Sequence, residues 1–448
     1  MQGETTPLSG GSRAGASAAR PAALPLLIYI LALGTFLMGT TEFIVAGVLP
    51  DIAGDLQVSV ARAGLLITVF AIGMIVGAPL MAMLTLRLPQ RVTLIVALAV
   101  FAVGHVIVAV GDSFAVLLLA RLITAFATGA FWALSAVVAT RVAGPARGAR
   151  AMGLVNAGGM LATALGVPLG AFAGQLIGWR GTFWALAVLA LAPTALIARH
   201  VPHEEGRAQS VSARSELSGL RSGRLWLALA GCAATTGGVL AAYSYISPLL
   251  TDQAGVPARL VPLALVGFGV GALVGSLVAG RLGDAHPHVV TLVAPVATAI
   301  LLVMICLASG MPWLTAGVVV LLGFFGLGAN PVLIALAVRF AGRAPTLGSS
   351  LTVSAFNAGT AVGSWIAGLA LASTLGATGP AAVGLVIVVL AVIPAVALAL
   401  IARRCAARTP GSGDATTTNA LARGQRCHLG RVPNLRNQVP GVHRPLRM

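Results

Sequence analysis

The chain has 448 residues, of which 9% are charged and 58% hydrophobic, with a mean hydropathy of +0.97. An average soluble domain carries about 25% charged residues, so this composition excludes a cytosolic enzyme, a nucleic-acid-binding domain and a disordered chain. It specifies an all-α membrane protein of many passes. The net charge of +17 does not alter that reading. All the basic residues are Arg, they sit mostly in short connections and in the tail, and no basic face carries the interleaved aromatics that strand binding needs.

Taken in chain order, residues 1–24 are Ser/Gly/Ala-rich and read as a disordered cytoplasmic lead. The first apolar run, 26–49, is too long for a signal-peptide core and ends at Pro50-Asp51 without a cleavage site, so it stays as a helix. About 20 apolar residues cross the hydrocarbon, and on that rule the following spans are 64–86, 92–110, 114–138, 151–173, 181–198, 225–247, 260–280, 289–308, 313–338, 348–372 and 381–402. The polar break at 199–224 divides twelve transmembrane helices into an N-terminal six-helix half, 25–198, and a C-terminal half, 225–402. The segment 403–448 has no apolar periodicity and reads as a disordered cytoplasmic tail.

Every Arg except Arg62, Arg121, Arg180 and Arg259 falls on one side of this arrangement. The bias places both termini in the cytoplasm of a cell-membrane protein. Cys232 and Cys306 lie inside apolar runs, Cys405 and Cys427 in the tail, and no ligand spacing links Cys or His. No metal, disulfide or cofactor is expected.

The two halves are copies. With a shift of 198, Pro50 meets Pro248, Phe70-x2-Gly73-x3-Gly77 meets Phe268-x2-Gly271-x3-Gly275, and RVAG from Arg141 meets RFAG from Arg339. A further slip of three pairs Asn156 with Asn357. Six helices is an even number, so the repeat is parallel, and such halves rock about a site near the midplane.

Glu42 is the one carboxylate well inside a span and Arg121 the one basic residue. A charge at helix centre costs roughly 2.5–3.5 kcal/mol on insertion scales, so each is a candidate functional group. Both lie eight positions from the outer end of their helices, about 12 Å deep. That equal depth permits a direct or water-bridged pair, in which burial favours the neutral carboxyl and a nearby Arg the ionised one. Together they form a candidate proton switch; a permanent structural ion pair is the alternative. Polar positions at helical spacing point to a substrate cavity: Thr35, Gly39 and Glu42 in helix 1; Arg121, Thr124, Thr128, Trp132 and Ser135 in helix 4; Thr236, Tyr243 and Ser247 in helix 7; and Asn330 before Pro331 in helix 10. Each hydroxyl has the alternative of a bond back to its own helix. A mostly apolar pocket of this kind suits a neutral or weakly polar small molecule. His105 reads as packing, and Asn156 and Asn357 as bonds between helices.

Four segments carry a family resemblance: TTEFIVAGVLPDIAGDL from Thr40, GMIVGAPL from Gly73, GVPLGAFAGQLIGWRGTFW from Gly166 and APTLGSS from Ala344. Over roughly 25–402 the chain resembles the major facilitator superfamily, and within it the drug/proton antiporters of the arabinose-efflux-like and actinobacterial chloramphenicol-exporter-like group. The resemblance implies two pseudo-symmetric six-helix halves around a cavity lined by helices 1, 4, 7 and 10. It also implies a cytoplasmic latch between helices 2 and 3 of the form G-x3-D-R-x2-G-x-R-R. Here Ala82 and Leu86 replace its Gly and Asp while Arg87 and Arg91 remain; the second half keeps Gly280 and Asp284 but has Ala285 for the Arg. In helix 4, Thr124 and Ala125 stand where Gln and Gly are usual. Gly166, Pro168 and Gly170 resemble a variant of the antiporter motif, a hinge or seal between the halves or a passive kink.

The sequence therefore reads as a monomeric secondary transporter, not an enzyme. It is expected to export a small organic compound, a drug such as chloramphenicol or a sugar-like metabolite, in exchange for protons across the lipid bilayer. A proton-coupled symporter for a sugar or nucleoside is the first alternative. A membrane enzyme is disfavoured because no cluster of carboxylate, His or Cys converges at one depth, and a nucleotide-driven pump because no G-x4-G-K-[ST] sequence occurs.

Overall fold

Backbone N–H and C=O groups find no water in hydrocarbon, so a chain this apolar satisfies them within helices. The computed structural model describes residues 24–84, 89–144, 147–201, 220, 222–342 and 345–407, and its regular structure there is helical throughout. Most of the expected lead, linker and tail, together with Leu86, Arg87 and Arg343, lies outside the described residues.

Among the described residues, ten stretches are long and apolar enough to cross a bilayer. One of them, Arg150–His200, is two crossings: Gly178 inside it has φ 75° and ψ 160°, a backbone geometry that glycine enters without a Cβ clash. Pro345–Leu371 adds another crossing, richer in Ser, Thr and Gly and, at 27 residues, about 40 Å long. The twelve crossings are α1 (Leu26–Asp55), α2 (Leu65–Leu84), α3 (Gln90–Val110), α4 (Phe114–Ala143), α5 (148–177), α6 (179–200), α7 (Gly223–Tyr243), α8 (Val261–Ala285), α9 (Pro287–Ala308), α10 (Pro312–Ala341), α11 (Pro345–Leu371) and α12 (Gly379–Ala407).

Two helices depart from their expected form. α1 does not stop at Leu49 but runs through Pro50 to Asp55, and Gln57 with φ 52° follows it. Proline removes one backbone donor but holds φ in the helical range, so a single Pro need not end a helix. α10 is broken at Ala329, between Pro312–Gly328 and Asn330–Ala341.

The packing repeats as the sequence does. α1 packs on α5 as α7 packs on α11; α2 on α4 as α8 on α10; α3 on α6 as α9 on α12. Small residues permit the close approaches: a Cβ on Gly73 of α2 would stand 2.6 Å from that of Ala125 in α4, and one on Gly271 or Gly275 of α8 would strike the α10 backbone at Val320 or Phe324. The halves meet along two symmetry-related seams, α2 with α11 and α5 with α8.

At the first seam Thr68 and Ser364 share a hydrogen bond of 2.8 Å, and the Ser354 hydroxyl donates to the Ile75 carbonyl at 2.9 Å. At the second, Gly269 lies against the backbone of Ala164, and the Gln175 amide donates to the Ala258 carbonyl at 2.9 Å. Leu265 of α8 lies against Gly47 of α1. Most of these contacts lie toward the face where α1 ends, the far face, so the halves are closed there. On that face Arg180 pairs with Asp55 and, at 3.3 Å, with Asp112; the Trp179 indole N–H donates to Asp55 at 3.2 Å.

Candidate proton and substrate site

Glu42 sits in the middle of α1, half-buried, one residue after the fully buried Thr41. Arg121 in α4 is also fully buried. The two lie within each other's electrostatic field, yet no ion pair joins them. The direct pair that equal depth permits is not formed.

The guanidinium is docked elsewhere. Arg121 Nη1 donates to the Thr41 carbonyl and to Thr41 Oγ1, each at 3.0 Å, and Nε reaches the Leu66 carbonyl of α2 at 3.5 Å. Its charge lies over the Phe70 ring, 4.1 Å from the centroid, an attraction that strengthens on desolvation. Nη2 has no hydrogen-bond partner. An unpaired buried donor is costly, and here it belongs to a charged group near a carboxylate.

Thr41 also bonds to His105 of α3, Oγ1 to Nε2 at 2.7 Å, and His105 Nδ1 lies 2.7 Å from the Phe101 carbonyl. The expectation of simple packing for His105 is thereby corrected. It does pack, its ring 4.0 Å from Phe101 and 5.8 Å from Phe183 between centroids, but both nitrogens are bonded. Thr41, Phe70 and His105 are the participants that sequence reasoning missed. Their signals were faint: Thr41 adjoins Glu42, and His105 is the ionisable side chain of the third span.

The expected cavity residues divide in two. Thr35 Oγ1 lies 2.8 Å from the Val155 carbonyl of α5 and 2.9 Å from that of Ala32. Thr124 donates to the Arg121 carbonyl at 3.0 Å and Thr128 to the Thr124 carbonyl at 2.8 Å. These three hydroxyls are engaged within the N-terminal half. By contrast Trp132 Nε1, Ser135 Oγ, Thr236 Oγ1, Tyr243 Oη and Asn330 Oδ1 are buried without a hydrogen-bond partner. They lie on α4, α7 and α10. The Tyr243 ring stacks on Phe268 at 4.2 Å and meets Phe43 of α1 edge-on at 6.4 Å, which joins the halves beside Glu42.

The conformational-motif residues are placed as follows. Arg87 is outside the described residues. Arg91 donates to the Ala198 carbonyl in the last turn of α6, satisfying a terminal carbonyl. Gly280 and Asp284 lie near the end of α8, Asp284 exposed. Gly166 closes a π turn, Ala162–Gly166, in which the Val167 N–H bonds to the Ala162 carbonyl. Pro168 follows and has no N–H for the Ala164 carbonyl, which accounts for the irregular turn. Side chains at Gly166 and Gly170 would strike Thr40 and Ile44 of α1, and Ala164 meets Gly269 across the seam. The motif thus seats α5 against α1, while the π turn leading into it, through Ala164, meets the other half.

Comparison with known proteins agrees with this architecture. The family description Major Facilitator Superfamily matches residues 31–267. The chain is 36% identical over 362 residues to the Chloramphenicol resistance protein of Streptomyces lividans, covering 80% of this chain and 92% of that one. It is 33% identical to the Inner membrane transport protein YdhP of Escherichia coli K12, covering 79% and 90% of the two chains. In structure it is similar to a bacterial homologue of the human lysosomal transporter Spinster in an inward-facing and unoccupied conformation, with a TM-score of 0.67 at 17% identity over 84% of this chain and 96% of that one. A membrane-spanning chain of twelve helices in two repeated halves, matched to that family over more than half its length, belongs to the major facilitator superfamily of transporters.

Proposed function

We propose that this transporter exports a small, neutral or weakly polar organic compound in exchange for protons, with its termini in the cytoplasm of the cell membrane. The observation that carries the reading is the arrangement of Arg121. Its guanidinium is buried and docked on Thr41 and Leu66, and its Nη2 is free within the field of Glu42. When Glu42 is protonated, Arg121 rests where it is. When Glu42 ionises, an unused donor is at hand to meet the charge. The proton on Glu42 thereby selects between two placements of one cation, the bistable element that alternating access needs.

The unpartnered groups of Trp132, Ser135, Thr236, Tyr243 and Asn330 support the substrate side of the reading. Drawn from both halves, they offer N–H and O–H donors and one amide oxygen among aromatic rings, which suits a compound with carbonyl and hydroxyl groups. The likeness to a chloramphenicol resistance protein makes chloramphenicol the first compound to test.

The test is transport by purified protein in sealed liposomes with an imposed pH gradient. Antiport is expected to drive labelled chloramphenicol into the more acidic compartment and to stop on addition of a protonophore. Movement of compound together with protons would instead establish the symport alternative.

A further inference from the structure

We propose that His105 is a positioning residue of the proton site: through Thr41 it holds Arg121 away from Glu42. The proposal rests on the reading of Glu42 as the coupling carboxylate and adds a residue to it.

The hydrogen bonds run in one direction. The Phe101 carbonyl 2.7 Å from His105 Nδ1 can only accept, so Nδ1 carries a hydrogen. In the neutral ring Nε2 is then an acceptor, and Thr41 Oγ1 at 2.7 Å donates its single hydrogen to it. What remains on Thr41 Oγ1 is lone pairs, one of which receives Arg121 Nη1–H at 3.0 Å. Arg121 donates to Thr41, Thr41 to His105, and His105 to Phe101. A doubly protonated ring would break this order. Its Nε2–H would donate to the Thr41 oxygen instead of accepting from it, and the Thr41 hydrogen would lose its acceptor.

Among the described residues, the charged group acting on His105 is Arg121 on α4, and Glu42 on α1 follows Thr41 in the chain. α6 presents the Phe183 ring, and the nearby Arg180 is engaged by Asp55 and Asp112 at the far face. α3 itself presents Phe101. His105 thus serves as a fixed acceptor that orients the Thr41 hydroxyl. Without it the hydroxyl rotates freely, Arg121 is held less firmly, and ionised Glu42 competes for it better.

The experiment uses the full chain in lipid nanodiscs and needs no transported compound. Nitrogen-15 NMR of labelled histidine, with His105→Gln used to assign the signal, reads the ring state. The neutral Nδ1–H form is expected, and an Nε2–H or doubly protonated ring overturns the proposal. In parallel, pH-difference infrared spectra follow the C=O stretch of protonated Glu42, assigned by its loss in Glu42→Gln. His105→Leu and Thr41→Val are each expected to lower the pH midpoint of that band by about half a unit, a threefold change in proton affinity. His105→Gln, whose amide oxygen reaches the place of Nε2, and Thr41→Ser are expected to keep the wild-type midpoint. A titrating band whose midpoint ignores both His105→Leu and Thr41→Val overturns this proposal alone. A Glu42 band that does not titrate in the wild type overturns the proton-coupling reading, and this proposal with it. Should the Leu variant fail to fold, the wild-type ring state and the Thr41→Val and Thr41→Ser pair still decide.

Discussion

The seam between α2 and α11 gives a quantitative test of how the far face is held shut. Thr68 and Ser364 are both buried and share one hydrogen bond of 2.8 Å across the two halves. Ser364 Oγ has only a long alternative, 3.4 Å to the Ala361 carbonyl. Thr68→Val keeps the shape of the side chain and removes the bond. A net intramolecular hydrogen bond contributes about 1 kcal/mol, and because the two residues separate when the halves part at this face, nearly all of it falls on the closed state. About 1 kcal/mol is a fivefold change in an equilibrium constant. Leu265, fully buried against Gly47 at the same face, is a suitable reporter position. With the four native cysteines replaced and Leu265→Cys introduced, a membrane-impermeant thiol reagent applied from the far face should label Thr68→Val about fivefold faster than its parent. Ser364→Ala should give the same acceleration, and the double variant no more than either single one, since the bond can be lost only once. Equal or slower labelling, or accelerations that multiply, would refute the reasoning.

Three further outcomes follow. Arg121→Ala removes the charge that favours ionised Glu42, so the carboxyl holds its proton to higher pH and the pH profile of transport should move upward. Arg121→Lys should not restore the wild-type profile, because an ammonium cannot reproduce the guanidinium fork that meets the Thr41 and Leu66 carbonyls. Gly269→Val places a side chain where the Ala164 backbone already lies; overpacking of this kind costs about 1–3 kcal/mol, and faster labelling of the Leu265→Cys reporter is the expected sign that the α5–α8 seam has opened. Arg180→Ala removes two solvent-exposed ion pairs, each worth about 0–1 kcal/mol, so transport should persist and a detergent melting curve should shift by only a few degrees.

What the sequence made legible follows from the physics of the bilayer. Runs of apolar residues announce crossings because nothing else tolerates hydrocarbon, and a charge such as Glu42 or Arg121 stands out against them. Pairwise geometry was not legible in the same way. Equal depth of Glu42 and Arg121 says nothing about the direction each side chain takes around its helix, and the guanidinium turned to Thr41 and Phe70 instead. The turn at Gly178 falls in the break that the sequence leaves between 151–173 and 181–198. Thr124 and Thr128 lie on the polar face that the spacing marks, yet their hydroxyls bond back to their own helix, whereas Thr236 and Tyr243 on α7 are left without partners. Spacing places a hydroxyl on a face, and only the local acceptors decide whether it is free. Arg91, expected as part of a latch, donates to the Ala198 carbonyl at the end of α6, a contact set by the helix terminus packed beside it.

Coupling of transport to protons through Glu42 is tested most directly by removing its titratable group. Glu42→Gln keeps the size and polarity of the side chain and cannot titrate. In liposomes given a pH gradient alone, the wild type is expected to concentrate labelled chloramphenicol, while Glu42→Gln should fail to do so yet still exchange internal for external compound. Accumulation of chloramphenicol against its gradient by the Glu42→Gln protein, driven by the pH difference alone, would contradict the account.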